Sequence, residues 1–366
     1  MKLMWMLIFG LLPLVAVAYI AWHIWTLLPV AGIWRCAVII AGVCCFLTLF
    51  LDLSRRLDGY PLPLARTLYE TGTSSLIVML YLVMLFLLLD IGRLIRLVPK
   101  SFLYHNGVTA IGILALICGI FFYGNWRYRN KVRVPLEVKT TKKLPKTYKV
   151  VMASDLHLGY HNPRKELARW VDMMNAEQPD FILLAGDVID ISVRPLTEEH
   201  MAEEFHRLNA PVYACLGNHE FYTGEPEAQQ FYKDAGIHLL RDAAAEIDSS
   251  IVIIGRDDRA NRRRKPIGDL ASSVDKEKFI IALDHQPYHL EKVEKAGIDF
   301  QLSGHTHRGQ VWPISWITDA IYECAWGSHQ RGRTQYYVSS GLGIWGGKYR
   351  IGTQSEYVVA TFTQGE

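Results

Sequence analysis

The sequence predicts two architectures in tandem, a bundle of membrane helices followed by an α/β unit, and three observations carry that prediction. The first third of the chain holds four long apolar runs with few charges. From Arg127 onward the charge density rises to that of an ordinary globular domain. Within this second part, short apolar runs alternate with segments of helical periodicity, and one apolar run after another ends in Asp, Asn or His.

The apolar runs are long enough to cross a bilayer, for which about 20 residues suffice. Residues 3–28 contain no charge, 32–51 carry only Arg35, 71–89 end at Asp90, and 107–123 are again apolar. We expect four spans and no cleaved leader, because the first run continues past Ala16-Val17-Ala18. Lys2, Arg55, Arg56, Arg66, Arg127, Arg129, Lys131 and Arg133 then fall on one side, against Arg35, Arg93, Arg96 and Lys100 on the other. This bias predicts both termini in the cytoplasm, and hence the charged second part on the cytoplasmic face of an inner or plasma membrane. No buried ionisable pair that would mark a transport path is expected among the spans, and His23 and His105 read as interfacial. The domain plan is a transmembrane helical region at 1–126, a basic linker at 127–147 and a globular domain at 148–366.

Composition narrows the function. A net charge of +3 over 366 residues is too small to argue for nucleic acid. The six cysteines show neither metal-site nor disulfide-framework spacing and read as reduced packing residues.

The soluble part opens on Lys149–Gly159, KVVMASDLHLG. Val150–Ala153 reads as a buried strand, with Asp155 and His157 at its tip. Two residues apart, they share a face if the backbone stays extended. A helix is predicted over 164–177 from Leu167, Trp170, Val171 and Met174, and a polar helix around 197–208. The strand 180–185 ends in Gly186-Asp187 with Asp190 close behind, and 212–216 in Gly217-Asn218-His219-Glu220. Further strands at 251–255, 279–283 and 299–302 follow; the last two lead into Asp284-His285 and Gly304-His305-Thr306-His307. Five of the 13 histidines fall at strand ends. Polar groups just beyond the carboxyl ends of buried strands are where α/β sheets bind ligands.

Asp155, Asp187, Asn218, His157, His285, His305 and His307 offer more donors than one ion takes. They suit two divalent ions about 3.5–4 Å apart sharing a carboxylate. Mixed oxygen and imidazole donors without thiolate fit manganese, iron or zinc.

The ordered blocks DLH, GDVID, GNHE, DHQP and GHTH resemble the calcineurin-like metallophosphoesterase superfamily over 148–363, and more loosely its membrane-anchored branch. That resemblance implies two packed β-sheets flanked by helices. It also implies Asp155, His157 and His307 on one metal, Asn218, His285 and His305 on the other, and Asp187 between them. His219 would be the catalytic acid or positive partner beside the phosphate, with Asp190 and Glu220 supporting the centre from behind. Arg308 would bind a second phosphate or, failing that, pair with a nearby acid.

The expected activity is hydrolysis of a phosphodiester, pyrophosphate or phosphomonoester, including a lipid-linked one, so membrane lipids and a phosphoester are the expected partners. Trp312, Trp316, Tyr322, Trp326 and Trp345 either meet lipid headgroups or fill the core of the second sheet. The alternatives are a nuclease or cyclic-nucleotide phosphodiesterase using Arg259, Arg262, Arg263, Arg264 and Lys265, and a non-catalytic membrane sensor. Nucleic acid is not the expected partner, because no aromatics interleave with that basic run.

Overall fold

The computed structural model describes residues 11–54 and 56–365. The chain divides into two compact units, Met1–Gly124 and Asn125–Glu366.

The first unit is helical: α1 (Leu12–Leu27), α2 (Gly32–Leu53), α3 (Leu62–Leu94) and α4 (Gly107–Arg129), the last running on into the second unit. Among the described residues, α2, α3 and α4 are long and apolar enough to cross a membrane. The visible part of α1 has 16 residues, and the start of the expected first span lies outside the described residues. The third helix is much longer than its apolar centre, because Ala65, Tyr69, Gly72 and Thr73 on its first turns are also buried. One expectation is overturned here. His23 is buried on α1, its Nε2 lies 3.0 Å from Asp90 Oδ2 on α3, and Tyr19 donates to the same oxygen at 2.7 Å. His23 also stacks on Phe86 at 4.2 Å. The pair joins residues 67 apart in sequence, so no local pattern reveals it. His105, by contrast, meets Arg35 at 3.1 Å in an exposed setting.

The second unit contains β1 (Val132–Thr140), β2 (Tyr148–Ala153), α5 (Arg164–Ala176), β3 (Phe181–Ala185), α6 (Arg194–Glu198), α7 (Ala202–Phe205) and β4 (Val212–Cys215). It continues through α8 (Asn218–Thr223), α9 (Glu225–Asp234), β5 (His238–Leu239), β6 (Ala243–Ile247), β7 (Ile251–Gly255), α10 (Ile267–Ser272), β8 (Phe279–Leu283) and α11 (Leu290–Ala296). It ends with β9 (Phe300–Ser303), α12 (Ile314–Ile321), β10 (Gly327–Arg331), β11 (Thr334–Val338) and β12 (Glu356–Gln364). The strands form two six-stranded sheets, ordered β1-β12-β2-β3-β4-β5 and β10-β11-β9-β8-β7-β6.

The apolar runs build three layers of core, because a strand buried on both faces sends alternate side chains to opposite sides. Val150, Met152, Phe181 and Leu183 meet Ile251, Ile253, Phe279 and Ile281 between the sheets. Val151, Ala153, Ile182 and Leu184 face outward onto Leu167 and Trp170 of α5. Val252, Ile254, Ile280 and Ala282 face the other way, onto α10 and α11.

Two expectations change. The segment 127–147 holds a strand: nine of its 21 residues form β1, which pairs in parallel with β12 from Val132↔Glu356 to Thr140↔Gln364. Val132, Val134, Leu136 and Val138 alternate with polar residues, and Pro135 is tolerated because β1 is an edge strand. The polar helix at 197–208 is two short helices, α6 and α7, broken at His200, which takes φ 53°.

Candidate metal centre

The tips of β2, β3, β4, β8 and β9 converge, and those of β2, β3 and β9 arrive by turns with left-handed backbone. Asp155 and His157 both have positive φ, 53° and 46°, so they are not extended as expected. Paired left-handed turns, rather than alternation along a strand, bring both side chains inward. Asp187, His305 and His307 are likewise left-handed, at 51°, 70° and 47°. Non-glycine residues held this way cost roughly 1–3 kcal/mol each, which the surrounding packing must offset.

Glycines make room for the ligands. A Cβ on Gly217 would stand 2.2 Å from Asp187 Oδ1, and one on Gly304 would stand 2.3 Å from Asp155 Oδ2. Gly186 has φ 79°, and its Cβ would meet His285 Nδ1 at 2.7 Å.

The ligating atoms fall into groups that each fit within 4.8 Å: Asp155, His157 and His307; His157, Asp187 and His219; Asp187, His285 and His305. His307 Nε2 lies 3.4 Å from Asp155 Oδ1 and 3.1 Å from His157 Nε2. Asp187 Oδ2 lies 3.0 Å from His285 Nε2 and 3.8 Å from His157 Nε2, so it touches both groups. Asn218, which opens α8, presents a buried Oδ1 with no hydrogen-bond partner. Two imidazole nitrogens face to face, buried carboxylates beside them and an orphaned amide oxygen are the donor set that divalent cations satisfy. The residues present fit metal.

A second layer fixes these donors. His285 Nδ1 donates to the Ala185 carbonyl at 2.7 Å, which leaves Nε2 as the coordinating atom. Asp190 Oδ1 receives His157 Nδ1 at 3.2 Å and lies 3.1 Å from His219 Nδ1, which donates to the Asp190 backbone carbonyl at 3.1 Å. The Glu220 carboxylate accepts from the backbone N–H of Gly217, Asp187 and Ile189 at 2.7–3.1 Å and from the Tyr232 hydroxyl.

The electrostatics follow from burial and crowding. Burial together with neighbouring imidazoles holds His305 down to about 3 and His307 well below the ordinary histidine value, so both stay neutral lone-pair donors. For His219, burial pulls down, but Asp187 and the bond to Asp190 win and raise it to about 9. Asp187 is held well below the carboxylate range, because His285 and His219 outweigh its burial.

Sequence reasoning missed three supports. Arg350 is fully buried and donates to the His307 carbonyl at 2.7 Å, as well as to the carbonyls of Ser340, Gly341 and Gly343. Asn162 Nδ2 holds the carbonyls of Leu156 and His157 at 3.0 Å each. His161, buried beside Asp190, also belongs here. Only Asn162 and His161 had a signal, their position within five residues of His157.

Arg308 lies 4.1 Å over the Trp326 ring, and among the described residues no carboxylate pairs with it. Trp326 Nε1 donates to Glu356 at 3.0 Å, so the guanidinium rests on a fixed platform. The basic run is divided: Arg264 binds Asp284 at 3.1 Å and Arg259 stacks on Tyr288 at 4.0 Å, while Arg262, Arg263 and Lys265 are exposed. Trp312 and Trp316 are exposed, Tyr322, Trp326 and Trp345 half-buried, and none joins the core of the second sheet.

Two packed sheets with oxygen and imidazole donors gathered at their strand tips form a candidate metal centre, and the sequence comparisons give its class, the phosphoester hydrolases. The calcineurin-like phosphoesterase family profile matches residues 148–309. An uncharacterized metallophosphoesterase of Aquifex aeolicus is 32% identical over 246 residues, covering 63% of this chain and 91% of that one. One from Campylobacter jejuni is 30% identical, covering 63% and 64%. A zebrafish (Danio rerio) transmembrane protein with metallophosphoesterase domain is 30% identical, covering 62% and 55%. The chain belongs to the calcineurin-like metallophosphoesterase family. Its own long apolar helices associate it with a membrane.

Proposed function

We propose that this protein is a membrane-anchored, dinuclear metal-dependent phosphoesterase acting on phosphodiester or pyrophosphate bonds, including those of lipid-linked substrates, on the cytoplasmic face. The observation that carries the reading is Asp187, whose carboxylate reaches both His157 and His285 and so stands between two ligand groups. Asp155, His157 and His307 would hold one ion, and Asn218, His285 and His305 the other. Manganese, iron or zinc suits these donors. Such ions, when bound, acidify water and withdraw charge from phosphoryl oxygens.

The remaining work falls to side chains. His219, with Nδ1 engaged by Asp190, keeps Nε2 to hold a proton for the departing oxygen. Its backbone N–H donates to Asp187 Oδ1 at 2.8 Å, which fixes the ring relative to the ligands. Arg308, stacked and without an acidic partner among the described residues, supplies a planar fork for a second phosphate. Asp190 and Glu220 orient what lies in front of them. The basic residues flanking the spans support the cytoplasmic orientation.

The test is hydrolysis by the detergent-solubilised full chain of soluble and lipid-linked phosphoesters, with and without added manganese, beside Asp187→Asn. Manganese-dependent turnover that vanishes in Asp187→Asn supports the reading. A wild type that turns over no phosphoester in manganese, iron or zinc ends it.

A further inference from the structure

Within residues 125–365, seven large apolar side chains are exposed, and five of them lie between 312 and 321. Trp312 is 39% exposed, Ile314 37%, Trp316 66%, Ile317 57% and Ile321 60%. They form one face of α12, whose other side is seated by buried Ser315. The two indoles meet edge to face at 5.4 Å, so this is one continuous patch rather than scattered residues. A face of this kind costs solubility unless something covers it.

Its surroundings say what covers it. First, the same polypeptide carries three helices of membrane-crossing length and composition. Only Asn130 and Lys131 separate the end of α4 from β1, a reach of at most roughly 7 Å. The final turns of α4 are fixed to the catalytic unit by Asn125 Nδ2 to the Lys348 carbonyl at 3.0 Å and Tyr128 to Asn162 at 2.6 Å. A bilayer holding α4 is therefore always within reach. Second, a cation lies at one end of the patch. Tyr322 follows directly on α12 and bonds Tyr288 at 2.9 Å, and Arg259 lies on Tyr288 at 4.0 Å; the acids of this stretch are Asp319 on α12 and Glu323, the latter paired with Arg331 at 2.8 Å. An aromatic and aliphatic face with a cation at its end matches a headgroup layer. Third, the patch is joined to the metal centre. Gly309, two residues after His307, packs so tightly on α12 that a Cβ there would stand 2.4 Å from Ser315 N, and Val311 bridges to Ile351.

We infer that α12 lies in the headgroup layer of the anchoring bilayer and presents the metal centre to phosphoesters resident in that layer. The substrate half of this statement rests on the phosphoesterase reading; the docking half does not.

The two halves separate experimentally. In the full chain with Cys36, Cys44, Cys45 and Cys118 replaced by serine, an environment-sensitive dye is attached at Trp316→Cys or, as a control, at exposed Gln230→Cys. Both proteins are placed in nanodiscs containing anionic lipid and headgroup-level nitroxide lipid. Docking predicts blue-shifted emission and quenching at 316 at least ~5-fold stronger than at 230. Equal quenching at the two positions overturns it. The second arm compares Trp316→Glu with Ile317→Glu combined, against the unsubstituted chain, on a diacyl phosphodiester in the nanodisc and on a soluble chromogenic phosphodiester. The expected result is a loss of about 10-fold or more on the bilayer substrate with the soluble rate within about 2-fold. Equal loss on both, or no loss on the bilayer substrate, overturns the substrate half. Absence of turnover on every phosphoester in the unsubstituted chain refutes both the phosphoesterase reading and the substrate half, and leaves the quenching result to decide docking.

Discussion

His157 and His219 lean on one residue, Asp190: its Oδ1 receives Nδ1 of the first at 3.2 Å and lies 3.1 Å from Nδ1 of the second, which also donates to the Asp190 backbone carbonyl at 3.1 Å. One carboxylate thus sets the tautomer of an expected ligand and sits against the expected proton donor. Asp190→Asn keeps the shape but can present an amide N–H to either ring. We expect metal affinity and turnover each to fall about 10–100-fold. Metal content by mass spectrometry and kcat on a chromogenic phosphodiester check this, and unchanged metal content would count against it.

His219→Ala removes the proton donor without removing a ligand. Bound metal should stay within error of wild type while kcat drops by about 10²–10⁴ for an alkyl ester. The drop should be much smaller for 4-nitrophenolate, which leaves without help. A variant emptied of metal would reassign His219 as a ligand.

Gly304→Ala tests the close approach beneath Asp155. The new methyl would meet Asp155 Oδ2 at 2.3 Å and Ser154 Oγ at 2.5 Å, both in fully buried side chains. Overpacking of this kind costs about 1–3 kcal/mol, and here it should also weaken metal binding. Gly268→Ala, which meets nothing within 4 Å, should leave melting temperature and metal content unchanged.

His161 makes stability depend on pH. Burial outweighs the pull of Asp190 and lowers it from 6.5 to about 4. The folded protein therefore binds this proton more weakly than the unfolded chain does. Stability is fully present above the unfolded value and is lost as pH falls from 6.5 towards 4, by up to about 3 kcal/mol. The melting temperature of chelated wild type should fall relative to His161→Gln between about pH 7.5 and about pH 4.5. A constant difference across that window would refute the assignment.

The residues gathered at the centre are legible in the sequence because each follows a buried strand by one to four positions, so local hydrophobicity marks them. Their supports are not legible in this way. Arg350 acts on His307 from 43 residues away, and Glu220 on Ile189 from 31. The His23–Asp90 pair is hidden for the same reason, since two helices meet only once the chain is folded. The edge strand β1 escaped because its lysine, arginine and proline resemble a stop-transfer flank, although its alternation is regular. What the sequence misjudged at the site itself is backbone: a DLH block looks extended, whereas Asp155 and His157 are left-handed, Asp155 packed against Gly304 and Gly341.

The pairing of β1 with β12 has a consequence for biosynthesis. The strand that emerges from the ribosome just behind α4 has as its partner residues 356–364, more than 200 positions later. At ordinary elongation rates it waits on the order of ten to forty seconds, with its hydrogen-bonding edges bare. Its alternating charges and its proline keep it from joining stray strands meanwhile. A nonsense codon anywhere before Glu356 would leave the helices inserted and the sandwich permanently unclosed.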